Sequence, residues 1–249
     1  MFMKYIGITG HRGSGKTSVG YLMGNTINAI LKGHNQDEIK ELFNTWCEDI
    51  KRTKNAIYDC TLDYVYFDSF GEMPKAFVAQ LLSIDMSVLD SEIMRDSMYV
   101  NMRDFRLYNY DPSFKVITSE DILNNTAKRW KDCYITLREF TNCLSLTIMQ
   151  RFFGADVWLK SLIVNDEKWC YANDDVWTIF LDVKTKEELK YINDKNGIVI
   201  KTIRPSHKKS NSGIVDADSE DAHFIINTEG QLVDLFDSIY DVAKQICKN

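Results

Sequence analysis

The stretch Gly10-His11-Arg12-Gly13-Ser14-Gly15-Lys16-Thr17 decides how the rest of this chain is interpreted. It follows the apolar run Tyr5-Ile6-Gly7-Ile8 and precedes a segment that predicts a helix, so it stands where a strand turns into a helix. It fits the pattern Gly-x-x-x-x-Gly-Lys-Thr/Ser, whose glycines let consecutive backbone N–H groups point at phosphate oxygens. The dipole of the following helix adds positive potential there. The sequence therefore predicts a phosphate-binding loop.

The residue types in this loop predict how it would hold a nucleotide. Lys16 is expected to contact the β- and γ-phosphates, and Thr17 to place its hydroxyl on Mg2+. ATP and Mg2+ are therefore the expected cofactors. Contacts to ATP are expected from Gly13, Ser14, Gly15, Lys16, Thr17 and Ser18.

Composition limits the kinds of protein that this chain can be. Its 249 residues carry a formal net charge of −6, and the Lys and Arg residues are dispersed, which argues against a large basic face for nucleic acid. The six cysteines form no Cys-x-x-Cys pair, which is typical of reduced thiols in a cytosol. No apolar run approaches the ~20 residues of a membrane span, and the start lacks the regions of a signal peptide. We therefore expect a soluble cytoplasmic protein with no membrane partner.

Apolar runs alternate with helical patterns along the chain. Strands are predicted at residues 5–8, 64–67, 176–182, 198–203 and 224–226. Alternation of this kind after a phosphate-binding loop predicts an α/β fold of the P-loop NTPase type, with three αβα layers and a mostly parallel sheet. We expect a single domain over residues 1–249.

Two segments interrupt the alternation. Residues from about 84 to 135 mix polar and aromatic side chains with no clear strand, and we expect a mostly helical insert that covers the second substrate. Arg106 in this insert is a candidate phosphate contact, with a solvated surface arginine as the alternative. Residues from about 206 to 222 are rich in Ser, Asp, Lys and His, and they predict either a lid loop or a plain disordered connection.

Further candidate residues follow the predicted strands. Asp182 ends the apolar run at 176–182 and is the candidate magnesium ligand, with a contact to the acceptor or a strand-end cap as alternatives. Lys75 comes shortly after the run at 64–67, and Arg204 after the run at 198–203. Ligands collect at the carboxyl ends of parallel strands, so these side chains are expected near one edge of the sheet.

Four separated pieces of the chain resemble the phage-type deoxynucleoside monophosphate kinases. Ser69-Phe70-Gly71-Glu72-Met73-Pro74-Lys75 is similar to the Ser-Phe-Ala-Asp-Pro-Leu-Lys segment of that family, and Asp182-Val183-Lys184 with Glu188 to its Asp-x-Arg-x-x-x-Glu. Met149-Gln150, Gly154-Ala155-Asp156 and Trp158 resemble its Leu-Gln-x-Leu-Gly-Thr-Asp and following Trp. Ile203-Arg204-Pro205 and the stretch from Ile225 to Leu232 resemble its Arg-Pro and its terminal strand and helix.

The resemblance implies transfer of the γ-phosphoryl of ATP to the 5′-phosphate of a deoxynucleoside monophosphate. Catalysis is then expected from Lys16, Arg12 and either Arg204 or a lysine of the lid loop, and a metal site from Thr17 and Asp182. The resemblance also implies that the acceptor is bound by Arg12, Pro74, Lys75, Arg106, Arg138, Gly154, Ala155, Trp158, Asp182, Lys184 and Glu188.

The chain departs from the family at several of these positions. Lys184 stands where the family has arginine, which keeps the charge but loses the planar fork that grips two phosphate oxygens. Ala155 stands where the family has threonine. The family's arginine shortly before its Leu-Gln segment has two candidate counterparts, Arg138 and Arg151.

Two other functions stay open from the sequence. One is a P-loop kinase of another small acceptor, such as dephospho-coenzyme A, and the other is a P-loop ATPase module of a nucleic-acid assembly. The kinase interpretation predicts small-molecule partners, ATP and a deoxynucleoside monophosphate, with no direct nucleic acid, and it leaves a homodimer open. It places the protein in the cytoplasm, or in the host cytoplasm if a phage encodes it.

Overall fold

Two units make up the structure, a computed structural model that describes residues 4–11, 13–52, 62–123, 133–154, 156–161, 176–206 and 222–248. Unit 1 comprises Met1–Phe70 and Asn165–Asn249, and unit 2 comprises Gly71–Val164. Unit 2 begins before and ends after the predicted insert at 84–135. Among the predicted features, Arg12, Ala155 and most of the loop at 206–222 lie outside the described residues.

Helices and strands alternate in unit 1, whereas unit 2 mixes short elements of both kinds. The strands are β1 (Lys4–Thr9), β2 (Val65–Asp68), β3 (Met98–Asn101), β4 (Leu107–Asn109), β5 (Tyr134–Thr136), β6 (Trp177–Val183), β7 (Ile198–Ile203) and β8 (Phe224–Asn227). The α-helices are α1 (Lys16–Leu31), α2 (Gln36–Arg52), α3 (Glu72–Leu82), α4 (Met86–Asp90), α5 (Glu92–Ser97), α6 (Ser119–Leu123), α7 (Leu137–Asn142), α8 (Gln150–Phe153), α9 (Lys186–Asp194) and α10 (Phe236–Ile246).

The sheet of unit 1 is parallel throughout its described strands. Its order is β2-β6-β1-β7-β8, which places β1 at the centre, and Thr9 at the end of β1 is paired with Val183 of β6 and Lys201 of β7. Strands buried on both faces read as continuous apolar runs, and β6 is buried along nearly its whole length. The five predicted strands and the α/β class are confirmed.

Helices cover both faces of this sheet. Ile6 and Ile8 belong to the apolar core that α1, α2 and α10 share on one face. Side chains alternate along a strand, so Tyr5 faces the other way, where its ring lies 5.9 Å from the ring of Tyr191 in α9. This arrangement is compatible with three αβα layers.

Unit 2 contains an antiparallel sheet of three short strands, in a part of the chain where the sequence shows no clear strand. In the described part of this unit the strand order is β4-β3-β5, with Val100 of β3 opposite Ile135 of β5. Both side chains are fully buried in a core shared with α3 and α7. The strands are only three or four residues long and β3 pairs with β5 across more than thirty positions, so no local pattern was long enough to predict them.

A long helical segment follows β5. Thr136 caps α7 by accepting a bond of 3.1 Å from the Glu139 N–H, which is one of the two bonds of the capping box that the spacing Thr136-x-x-Glu139 predicts. A π-helix at Cys143–Met149 joins α7 to α8, and Gly154, with a φ of 99°, ends the segment.

Packing in the core of unit 1 predicts a stability effect that can be measured on one helix. Phe43 of α2 is fully buried, with its ring 5.3 Å from that of Phe236, so Phe43→Ala should lower the free energy of unfolding by about 3–5 kcal/mol. Leu42, its neighbour on α2, is 36% exposed, and Leu42→Ala should lower it by only about 0.5 kcal/mol. Urea unfolding of both variants checks this. Equal losses would contradict the assigned core.

Candidate functional site

The glycine-rich loop lies at the carboxyl end of the central strand β1. Gly10 has a φ of 140° and a Cβ there would lie 2.4 Å from the Thr202 carbonyl oxygen, so glycine is needed both for the backbone angle and for the close approach. Gly15, with a φ of 82°, is the N-cap of α1. The loop therefore turns directly from the strand into the helix, as the sequence predicts.

The start of α1 presents groups that suit an anion. Within the described residues, no side chain caps this helix end and its first turn contains no acidic residue. The backbone N–H groups of the first turn lack partners inside the helix, and the helix dipole makes this end positive. Thr17 is exposed in this turn.

Lys16 bends its side chain back over the loop. Its ammonium group donates to the carbonyl oxygens of Gly10, at 2.7 Å, and His11, at 2.9 Å. The positive charge is thus held directly at the loop, beside the N-terminus of α1.

Arg204 is connected to the loop by hydrogen bonds through Thr228, the residue that follows β8. Its guanidinium Nε donates to the Thr228 carbonyl oxygen at 3.2 Å, and the Thr228 hydroxyl donates to the Ser14 carbonyl oxygen at 2.8 Å. Arg204 therefore belongs to the same edge of the sheet as the loop. The sequence did not place Thr228 or Thr202 at the loop, because their contacts with it join residues that are far apart in the chain.

Asp182, Lys184 and Glu188 come together at the end of β6. The Lys184 ammonium donates to Asp182 Oδ2 at 2.8 Å, and Glu188 accepts from the backbone N–H groups of Lys184, at 2.6 Å, and Thr185, at 2.9 Å. The Asp182 side chain is 18% exposed, and its other oxygen, Oδ1, is buried with no hydrogen-bond partner among the described residues. Since Val183 is paired with Thr9, Asp182 lies on the strand next to the loop.

Glu188 completes a capping box with Thr185 at the start of α9, as the sequence predicts. Burial raises the pKa of the Glu188 carboxyl from 4.5 to about 6. The hydrogen bond from the Lys184 N–H opposes this rise, and the negative charge of Asp182 adds to it. The position of Glu188 thus has a structural role at the helix start.

Asp68 is a second acidic residue at this edge that the candidate set did not include. It ends β2, is only 9% exposed, and accepts a bond of 2.6 Å from the Ser69 N–H. Its strand pairs with β6, so Asp68 and Asp182 end neighbouring strands. The signal that could have found it is the same one that found Asp182, an acid directly after a buried apolar run.

Unit 2 gathers several of the predicted cationic residues into one charged cluster. The Lys75 ammonium lies 2.7 Å from Asp90 Oδ1, and the Arg138 guanidinium makes a two-point contact with Asp96, with 3.0 Å between Nη2 and Oδ2. The hydrogen bond to Asp96 raises the pKa of Arg138. These cations are thus paired with carboxylates within the unit.

Arg95 belongs to this cluster and was not a predicted site residue. Burial lowers the pKa of its guanidinium, and the positive charge of Arg138 lowers it further. Its Nε is buried and has no hydrogen-bond partner among the residues that the structure describes. A buried donor of this kind usually has a partner, so Arg95 is a candidate for a contact with an anion.

The remaining predicted residues of unit 2 lie apart in their local settings. The Trp158 indole N–H donates to the Ser145 carbonyl oxygen of the π-helix at 2.7 Å, and its ring lies 6.0 Å from that of Phe77 in α3. Pro74 is buried in α3, and Gly154 is exposed. Arg106 is exposed at a turn that Asp104 stabilises by accepting from the Arg106 N–H at 3.1 Å.

The described residues contain neither a cluster of metal-binding side chains nor a membrane-spanning helix. No group of three or more His, Cys, Asp or Glu side chains in the described ranges could by itself hold a metal ion. None of the described helices is both long enough and apolar enough to cross a membrane.

Comparison with known proteins finds no matching family model and no matching curated sequence. What can be said about function therefore depends on the geometry of the two units and on the motifs of the chain itself.

The raised pKa of Glu188 predicts a pH-dependent stability. Between about pH 4.5 and 6 the folded state keeps the Glu188 proton that the unfolded state loses. The contribution of this carboxyl to the free energy of unfolding is therefore fully present below pH 4.5 and is lost as the pH rises to 6. Glu188→Gln keeps the capping side chain but cannot titrate. Relative to this variant, the wild type should lose up to about 2 kcal/mol of unfolding free energy over that interval. Urea unfolding at several pH values measures this, and parallel pH curves would contradict it.

Proposed function

We propose that this protein is a P-loop kinase that transfers the γ-phosphoryl of ATP to the 5′-phosphate of a deoxynucleoside monophosphate. One observation carries the proposal: a glycine-rich loop leads from the central parallel strand into an uncapped helix N-terminus, with the Lys16 ammonium held at the loop carbonyls. This arrangement suits the β- and γ-phosphates of a nucleotide. The choice of acceptor rests on the resemblance of the motifs to the phage-type kinases.

The reaction proposed needs positioning and charge neutralisation more than acid or base chemistry. An oxygen of the acceptor phosphate forms a bond to the γ-phosphorus, while the bond between this phosphorus and the β,γ-bridging oxygen breaks and leaves ADP. The acceptor phosphate is largely dianionic at neutral pH, because its second pKa is about 6, so no dedicated base is required. Lys16 and Arg204 would stabilise the negative charge that spreads over the transferred group. Arg12, inside the loop, would do the same.

Magnesium fits two groups at this edge. Mg2+ prefers oxygen ligands and is usually held by one or two protein groups together with phosphates and water, so a site of three carboxylates is not needed. The buried Oδ1 of Asp182, which has no hydrogen-bond partner in the described part of the chain, and the exposed hydroxyl of Thr17 would hold it. When bound, the ion would neutralise charge on the β- and γ-phosphates.

The resemblance assigns the acceptor nucleotide to cationic and aromatic residues of unit 2. Lys75 and Arg138 would bind the acceptor phosphate, exchanging contacts with Asp90 and Asp96 for contacts with phosphate oxygens. Trp158 would stack on the base, with its indole N–H anchored on Ser145. Further contacts are assigned to Pro74, Arg106, Gly154 and Ala155.

A coupled spectrophotometric assay of ADP release tests the proposal. The purified protein with ATP and Mg2+ is expected to release ADP in the presence of at least one deoxynucleoside monophosphate, and Lys16→Ala should lower that rate by at least about 100-fold because the phosphates lose their positioned cation. Lys190→Ala is the matched control, since Lys190 forms an exposed pair with Asp194 on α9.

The same assay separates the rival functions. ADP release with dephospho-coenzyme A, but with none of the deoxynucleoside monophosphates, would indicate a kinase of that other acceptor. ATP turnover that DNA stimulates without any phosphoryl acceptor would favour the ATPase module. Either outcome would contradict the proposal that the protein phosphorylates a deoxynucleoside monophosphate.

Lys75→Ala tests the acceptor side separately. A charge-assisted hydrogen bond to the acceptor phosphate would be lost, so the KM for the acceptor should rise about tenfold or more, while the KM for ATP should change little. Initial rates with each substrate varied in turn give both constants. A rise in the KM for ATP alone, or no change in either constant, would remove Lys75 from the acceptor site.

A further inference from the structure

Buried hydroxyl groups connect the glycine-rich loop by hydrogen bonds to β7 and to the residue that follows β8. Ser14 and Thr202 are fully buried and Thr228 is 4% exposed, so water does not compete for their hydrogen bonds. They lie at positions 14, 202 and 228, on the loop, on β7 and directly after β8.

The first anchor holds the Ser14 side chain. The Thr202 hydroxyl donates to the Thr9 carbonyl oxygen at 3.1 Å, and it has only one proton. Either hydroxyl could donate in the contact of 2.7 Å between Ser14 Oγ and Thr202 Oγ1, and Ser14 is the donor when the Thr202 proton is on the Thr9 carbonyl oxygen. The end of β1, the loop and β7 are thereby joined in one chain of hydrogen bonds.

The second anchor holds the Ser14 main chain. The Thr228 hydroxyl lies 2.8 Å from the Ser14 carbonyl oxygen and 3.1 Å from that of Ile203, so the shorter contact takes the larger share of its single proton. The Thr228 N–H also donates to the Ile203 carbonyl oxygen at 2.8 Å, and its own carbonyl accepts from Arg204. Thr228 is thus held against β7 by its backbone hydrogen bonds, so its hydroxyl has a fixed position from which it bonds to the loop.

We propose that the Thr228 hydroxyl is a positioning group that holds the loop in its phosphate-binding conformation, with Thr202 as the second anchor. This inference rests on the proposed function, because it concerns how the loop binds ATP. Thr228 acts through Ser14 and its neighbour Gly15, where a Cβ would lie 3.5 Å from the Thr228 methyl carbon.

The Thr228 hydroxyl would raise the affinity for ATP by ordering the loop before the nucleotide binds. A loop with several accessible conformations must be ordered when ATP binds, which weakens the observed affinity. Without the Thr228 hydroxyl, the Ser14 carbonyl would be left in a buried position without this donor, and the loop would relax to find another. N–H groups that point at phosphates are effective only when they are held in advance.

The test is calorimetric binding of ATP with Mg2+ to Thr228→Val, which keeps the volume of the side chain but removes the hydroxyl. The Kd for ATP is expected to rise about tenfold or more, and Thr228→Ser should restore most of the affinity because it restores the donor. Thr26→Val is the matched control: Thr26 is fully buried in α1 and its hydroxyl donates to the Leu22 carbonyl oxygen at 2.7 Å, away from the loop. It should leave the Kd unchanged.

Two readouts separate positioning from a general loss of stability. Urea unfolding should show Thr228→Val still folded, and the KM for ATP should rise while the KM for the acceptor stays the same. If Thr228→Val does not fold, Thr202→Val is measured in its place, and its Kd for ATP should rise by a similar factor.

The outcomes distinguish this inference from the proposed function. A wild-type protein that binds no ATP would overturn the proposed function and the inference with it. A wild-type protein that binds ATP, with an unchanged Kd in a folded Thr228→Val or Thr202→Val, would overturn the inference alone. A loss that Thr228→Ser does not repair would also overturn it, since the hydroxyl would then not be the cause.

Discussion

The reversal of the chain at the end of β1 is the constraint on which the rest of unit 1 depends. Between Thr9 and Lys16 the backbone must leave a central buried strand and enter a helix within a few residues, and it does so through glycines at positive φ. No capping side chain occupies the described start of α1, so the turn ends in an exposed, positively polarised helix end. The Lys16 ammonium adds a full charge at the same place.

The sheet brings the other polar groups of unit 1 to this reversal. β1 is central, so the strands on either side, β6 and β7, end beside the loop and deliver Asp182 from one side and Arg204 from the other. The edge therefore combines a cation held at the loop, a second cation at the end of β7 and a partly buried carboxylate. Each charge is held by a contact that is already made within the unit.

Unit 2 differs in how its charges are arranged. Two of its cationic groups are paired with carboxylates, Lys75 with Asp90 and Arg138 with Asp96, near the partly buried Arg95. Pairs of this kind keep long side chains in place but can exchange one anion for another, which is what binding of a phosphate would require. The antiparallel sheet beneath them is built from strands too short to be evident from a local pattern.

The sequence by itself determined the α/β class, the five strands of the parallel sheet, the glycine-rich turn and the caps of α7 and α9, because each depends on residues close together in the chain. The tertiary structure alone decided the sheet of unit 2, the hydroxyl anchors from Thr202 and Thr228 to Ser14, and the position of Arg95. These features depend on contacts between residues far apart in the chain, and no spacing rule encodes them. Ser14 and Thr228 are separated by 214 positions, yet they share a hydrogen bond.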